Sequence, residues 1–246
     1  MAQATALFVV EKVKMKVRLA DLVIEIKNKY EYVEELCREY LTDAPCVDFF
    51  VECTDDEIEA ERQDGEAEMP KGYLESLAVY RKICTRALDY DAFLVHSAVI
   101  ELEGNAYAFL AKSGTGKSTH IALWRTTIGD KVKIINGDKP IYRYIDGILY
   151  AYGTPWCGKE GWQRNTRARL KALCYIERAE KNSIEKITPR ESVMRMLKQV
   201  LIPKDADEVS KTLALVDRML NDIQSWIIKC NISSEAALIA YNALKE

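Results

Sequence analysis

Histidine is scarce in this chain. Only His96 and His120 occur in 246 residues, which excludes a metal centre built from several imidazoles. Long apolar runs are missing as well: none approaches the roughly 20 residues that a membrane-crossing helix needs. The opening MAQATALFVVEKVKMK is apolar for only a few residues, has no basic segment ahead of them, and does not read as a secretory leader. Neither charge sign dominates. Thirty-five Lys and Arg stand against 38 Asp and Glu, a formal net charge of -3, so no global electrostatic pull toward nucleic acid or a membrane surface is expected. The seven cysteines are odd in number and lack CxxC spacing. They are expected as reduced thiols of a cytoplasmic protein, mostly serving as small core hydrophobes. Cys157 has no spare histidine to activate it and is not taken as a nucleophile. Internal repeats and low-complexity tracts are absent.

What remains is an ordinary globular composition, 48% hydrophobic and 30% charged. The length suits one large domain, or a small one beside a large one. Residues 7–27 alternate loosely as one or two strands. Helical spacing runs over 31–41 and a strand over 47–53. The acidic stretch 54–72 reads as a solvated, mobile loop. An amphipathic helix over 72–91 links this N-terminal part to the core. Two strands joined by a Gly-Asn turn are expected in 93–111, a short strand at 132–135, and a hairpin over 141–152 turning at Asp146-Gly147. Another strand falls at 170–177. Thr188-Pro189-Arg190-Glu191 is a capping box opening a helix, and 208–228 and 234–244 read as two more. The expected organisation is a small N-terminal α+β part over 1–72, a core over 73–180, and C-terminal helices over 181–246 packed on the core.

Chemistry concentrates in AFLAKSGTGKSTHIALW, residues 108–124. An apolar strand, a small-residue loop and an amphipathic helix succeed one another. Ala111 to Ser118 fits the phosphate-loop pattern, with alanine at its first position. Gly114 and Gly116 allow backbone conformations that side chains forbid. Successive N–H groups can then form an anion nest at the positive end of the next helix. Lys112, Ser113, Gly114, Thr115, Gly116, Lys117, Ser118 and Thr119 are therefore the candidate nucleotide-binding residues. Lys117 would neutralise the β- and γ-phosphates, and Ser118 would offer a hydroxyl to Mg2+.

A second element, IINGDKP over 134–140, brings Asp138 to the end of a short strand. A carboxylate there can hold a metal or take the proton of an acceptor hydroxyl. His96 ends an apolar strand near the loop strand and can meet metal or phosphate. The glycine-rich stretch 152–171 carries Trp156, Trp162, Lys159, Arg164, Arg167 and Arg169, and suits a loop closing over a reacting phosphate.

Together, HSAVIELEGNAYAFLAKSGTGKST and NGDKPIYRYIDGILYAYG resemble the active-site core shared by ATP-type phosphoenolpyruvate carboxykinases and the bacterial HPr kinase/phosphorylases. The resemblance covers about residues 93–160. It implies an α/β fold: a mixed, hairpin-rich sheet with a P-loop, flanked by the N-terminal α+β part and the C-terminal helices. It also implies ATP with Mg2+. Lys117 and Ser118 match the family's loop lysine and Mg2+-binding hydroxyl, and His96 its strand histidine. Asp138 matches the first member of a paired acidic motif whose second position is here Lys139. Glu177 is the replacement candidate for the missing metal contact. The catalytic set is thus Asp138, Lys117 and His96, with Ser118, Asp138 and Glu177 for metal.

The activity so implied is transfer of the γ-phosphoryl group to a hydroxyl of a protein, peptide or small molecule. Two alternatives stay open: a non-catalytic ATP-binding regulator or partner protein, and a carboxykinase-like or pyrophosphate-using enzyme. No nucleic-acid or membrane partner is expected, and a homo-oligomer is left open.

Overall fold

The computed structural model describes residues 13–62 and 69–245. Residues 7–12 of the expected strand region 7–27, and residues 63–68 of the acidic stretch, lie outside them. The chain falls into two compact units, residues 1–83 and 84–246.

In the first unit, β1 (Val13–Leu19) and β2 (Leu22–Asn28) pair antiparallel, and β3 (Phe49–Glu52) joins β2 in parallel. Helices α1 (Glu31–Leu36), α2 (Asp55–Glu59) and most of α3 (Lys71–Ala87) complete it. Buried Val17, Ile24, Ile26, Val33, Val51 and Leu74 supply apolar packing. Buried Glu75 accepts the N–H groups of Lys29 at 2.7 Å and Tyr30 at 2.9 Å, which ties α3 to the end of β2. The acidic stretch is not wholly loop. Thr54 and Glu57 form a reciprocal capping box that starts α2, a local signal strong enough to nucleate one short helix within a charged segment.

The second unit is built on a nine-stranded mixed sheet. Its strands are β4 (Ala92–Leu94), β5 (Ala98–Leu102), β6 (Asn105–Leu110), β7 (Val132–Asn136), β8 (Ile141–Ile145), β9 (Ile148–Tyr152), β10 (Arg167–Arg178), β11 (Ser183–Ile187) and β12 (Gln224–Cys230). Two hairpins organise it. β8 and β9 turn through Asp146 and Gly147, both at positive φ, as the sequence suggests. β5 and β6 turn one residue earlier than expected, through Glu103 and Gly104 rather than Gly104-Asn105, because the register pairs Leu102 with Asn105. β6 and β10 run parallel, as do β10 and β12.

The C-terminal third is less helical than its stripes imply. α5 (Pro189–Met196), α6 (Ala206–Asp222) and α7 (Ser234–Lys245) are present, but the expected helix 208–228 stops at Asp222. Its last part, with Trp226, Ile227 and Ile228, pairs with β10 and β11 instead. Aromatic and β-branched residues pack better on a pleated surface than on a helix, and the parallel slot beside β10 decides the matter.

Two apolar layers cover the sheet. One gathers Met196 of α5 and Leu215, Val216, Met219 and Leu220 of α6 with Phe93, Tyr142 and Leu173. The other gathers Ile121 and Trp124 of α4 (Lys117–Ile128) and Ala236, Ala237 and Ala240 of α7 with Phe109 and Ile228. No described helix is long and apolar enough to cross a membrane. All seven cysteines are free thiols, six of them buried.

His120 sits inside the second layer, 2% exposed, with its Nε2 accepting Trp124 Nε1–H at 3.0 Å. Burial holds its pKa at about 4, down from 6.5. The folded chain keeps this ring neutral while the unfolded chain protonates it, so stability is lost as pH falls from 6.5 toward 4. The contribution is about 3 kcal/mol at 1.36 kcal/mol per pKa unit. Urea denaturation across that window is expected to show the loss. His120→Gln keeps an acceptor for Trp124 and is expected to flatten the profile; an unchanged slope would exclude His120 as its source.

Candidate functional site

Strand direction brings five chain positions to one edge of the sheet. The C-terminal ends of β6, β10 and β12 lie together because these strands are mutually parallel. β5 runs antiparallel to both β6 and β7, so its beginning meets their ends. His96 therefore precedes β5 at the same edge where the glycine loop leaves β6, Asp138 comes just after β7, and Glu177 and Arg178 close β10. Ligands of open α/β sheets bind outside such strand ends.

The glycine loop turns from β6 into α4. Gly114 has φ +77° and Gly116 φ +123°, values that a side chain would strain. Within Ser113–Ser118 only the Thr115 N–H is used, donating to the Lys112 carbonyl at 3.1 Å; the other amides make no hydrogen bond among the described residues. A run of free amides at a helix start is an anion-binding arrangement. Lys117 is buried, and its Nζ donates to the Ala111 carbonyl at 3.0 Å. Burial lowers its pKa, and the negative charges of Asp138 and Glu160 partly offset that.

Asp138 is placed by an Asn-centred turn. The buried Asn136 side chain accepts the N–H groups of Asp138 and Lys139, each at 2.8 Å, and donates to the Thr154 carbonyl at 2.9 Å. Thr154 Oγ1 donates onward to the Lys139 carbonyl at 2.7 Å. The Asp138 carboxylate meets His96 Nε2 at 2.8 Å. Burial opposes its ionisation. The His96 hydrogen bond and the charges of His96, Lys139 and Lys117 outweigh that penalty and hold the carboxyl below the ordinary carboxylate value.

The stretch after β9 folds back over this turn. Gly137 N–H donates to the Trp162 carbonyl at 2.8 Å, and Asn136 forms a bridge with Gln163. A β-carbon on Gly158 would stand 3.1 Å from Asp138 Cβ and 3.5 Å from Glu160 Oε2. Glu160 is thus the second carboxylate near Lys117 and Asp138. Nothing in the sequence marks it, because its distance from the Asn-Gly-Asp motif depends on how a long loop folds. Trp156 and Cys157 are buried in that loop.

Of the remaining sequence candidates, Lys112, Ser113 and Thr119 are exposed on or beside the loop, and Ser118 is half-buried. Glu177 reaches the same edge, but Arg195 Nη1 binds its carboxylate at 2.8 Å. Arg178 had no sequence signal. Its guanidinium donates to the Gly114 carbonyl at 2.6 Å and the Thr115 carbonyl at 2.9 Å, bracing the loop from β10.

Two cavities flank the loop. One, of about 640 Å3, opens beside Thr115, Gly116 and Thr119 and is walled by Leu123, Ile176 and Ile232. The other, of about 570 Å3, opens beside Ala111, Lys112 and Ser113 and includes His96 and Glu177.

No protein-family model matches this chain, and no curated protein matches it. Among solved structures it is similar to the Hpr(Ser) kinase/phosphatase from Coxiella burnetii, with a TM-score of 0.38 and 7% identity over 62% of this chain and 88% of that one. At that TM-score the likeness assigns neither fold nor activity, and the functional reading rests on the residues at this sheet edge.

Removing the Arg178 brace should loosen the loop without unfolding the core. In Arg178→Met, hydrogen exchange at the Thr115 amide is expected to speed by about tenfold, with global stability changed by less than about 1 kcal/mol. Unchanged exchange would show that the loop holds its shape without the guanidinium.

Proposed function

We propose that the protein is an ATP- and Mg2+-dependent kinase of the HPr kinase-like type, transferring the γ-phosphoryl group to a hydroxyl acceptor. The observation that carries this reading is the set of free amides at Gly116, Lys117 and Ser118, with Asp138 close enough to act on the lysine's charge. In this reading the loop is a P-loop. Its amides and Lys117 hold the phosphates, and Thr119 passes the nucleoside toward the 640 Å3 cavity, whose Leu123, Ile176 and Ile232 suit an apolar base face.

The residues present suit Mg2+. No cluster of three or more His, Cys, Asp or Glu that could hold a metal occurs among the described residues, and Mg2+ is commonly held by one or two carboxylates together with substrate phosphates. Ser118 and Asp138 would be the donors, with Glu177 a weaker one because Arg195 engages it. The bound metal would neutralise charge on the phosphates.

Asp138 orients the acceptor hydroxyl and takes its proton, with His96 fixing the carboxylate's direction. Lys117 balances the charge that builds on the leaving phosphate oxygens. A competing reading, nucleotide binding without turnover, draws on the lowered basicity of Asp138 and on Lys139 standing where the resembled families carry a second aspartate.

Nucleotide affinity and γ-phosphate turnover, measured separately, decide between them. Lys117→Ala is expected to weaken MgATP binding at least tenfold and to abolish turnover. Asp138→Asn is expected to weaken MgATP binding less than Lys117→Ala does, while turnover falls by about 10²–10⁴. Full turnover in Asp138→Asn would remove the catalytic role of this carboxylate. A parent chain that binds MgATP but never turns over would leave the regulator, and one that binds none would overturn both readings.

A further inference from the structure

The acceptor is the least specified part of this reaction, and the second cavity speaks to it. Its 570 Å3 falls in the range of small-molecule sites, about 300–1,000 Å3. It opens beside the leading half of the loop, whereas the 640 Å3 cavity opens beside the trailing half. The two cavities thus open beside different halves of the loop and meet at Ile176, which lines both. His96, whose ring holds Asp138, lines the second one.

The walls of this cavity are charged and incompletely paired. Lys112, Arg195 and Lys198 face one carboxylate, that of Glu177. Arg195 spends Nη1 on Glu177 and keeps a side chain 40% exposed. The ammonium groups of Lys112 and Lys198 have no partner among the described residues. Guanidinium forks pair well with carboxylate and phosphate oxygens. Gln199 adds an observation of a different kind. It is 9% exposed, yet its Oε1 is buried without a hydrogen-bond donor. An orphaned buried acceptor costs about 1–3 kcal/mol. The main-chain carbonyl of the same residue accepts the His96 N–H at 2.7 Å, so Gln199 is anchored to the reacting side of the site.

Resting on the kinase reading, we propose that this cavity binds the phosphoryl acceptor, and that the acceptor is a small hydroxyl compound bearing a carboxylate or phosphate group. Arg195 and Lys198 hold the anionic group. Gln199, which lines the same wall, ties this site to His96 through its main-chain carbonyl. The reacting hydroxyl lies toward His96 and Asp138: its oxygen bonds to the γ-phosphorus, the bond from that phosphorus to the β-γ bridging oxygen breaks, its proton passes to Asp138, and ADP leaves.

The test saturates the protein with the β,γ-imido analogue of ATP and Mg2+, so that the loop is filled, and titrates inorganic phosphate by calorimetry. One phosphate per chain is expected, with a Kd of roughly 1 mM or tighter. Arg195→Gln and Lys198→Gln are each expected to weaken it at least fivefold, while Lys204→Gln, which removes an exposed lysine outside the cavity, leaves it unchanged. Acetate in place of phosphate distinguishes the two anionic groups, the tighter of the pair naming the natural one. Absence of uptake at about 10 mM of either anion, or equal weakening in all three variants, overturns the proposal, as does transfer to a folded acidic protein that Arg195→Gln leaves intact. Failure of the analogue to bind is read separately: it removes the nucleotide reading, and the same titration on the free chain with the same variants then judges the cavity alone.

Discussion

The bond from Lys117 Nζ to the Ala111 carbonyl closes the glycine loop on itself. It joins the first residue after β6 to the first residue of α4, so the loop between them is held at both ends. A buried lysine is an expensive way to close a loop, since burial works against its charge. The cost makes sense where the charge is needed at that spot. Asp138 and Glu160 oppose the penalty from outside the loop, and neither could do so if β7 ended elsewhere or if the stretch after β9 folded away. The loop's shape, the lysine's charge and the position of two carboxylates are therefore one coupled arrangement.

That arrangement depends on the order of the strands. β5 lies between β6 and β7 and is antiparallel to both. This places His96 and Asp138, far apart in sequence, within one hydrogen bond. The curl of the sheet returns Thr154, after β9, to Asn136, at the end of β7. Asn136 is buried and satisfies two backbone amides and two Thr154 oxygens. Such a fully engaged amide fixes the direction of the turn more firmly than a solvent-exposed loop could. Asp138 stands at the end of this chain of bonds.

Much of this was legible in the sequence, for identifiable reasons. The glycines of the loop, the Asp146-Gly147 hairpin and the Thr188–Glu191 capping box act through neighbours in the chain, and local chemistry records them. The pairing of His96 with Asp138 is not anticipated by the sequence, which sets each of them separately beside metal or phosphate; their direct bond follows from the strand order. Arg178 and Glu160 could not be found from the sequence either. One reaches the loop across a parallel strand pair, and the other through the fold of a long connection; neither relation leaves a spacing pattern. The strand at Gln224–Cys230 was hidden for a related reason. Its apolar residues fit a helical stripe as well as a pleat, and the open edge of β10 decided between them. The Thr54–Glu57 box was a local signal, but the acidity around it masked it.

The single aspartate of the Asn-Gly-Asp-Lys motif raises a chemical question. A carboxyl held below its ordinary value by His96, Lys139 and Lys117 is a poor base, and general-base strength tracks basicity. In the proposed kinase reading, phosphoryl transfer would make modest demands on this carboxyl. In a loose transition state the acceptor oxygen has formed little bond to phosphorus and its proton is still weakly acidic, so positioning outweighs proton abstraction. What such a reaction would need most is an acceptor oxygen kept in line with the leaving group, and positive charge on the phosphate oxygens. A low-pKa carboxylate fixed by a 2.8 Å bond to His96 is well suited to the first, since it stays ionised and points one way. Lys117 and the free amides suit the second. Lys139 then need not be read as the loss of a base. Behind His96 it adds to what keeps Asp138 charged, while Glu160 adds negative charge to the surroundings of Lys117 and helps that lysine stay protonated despite its burial.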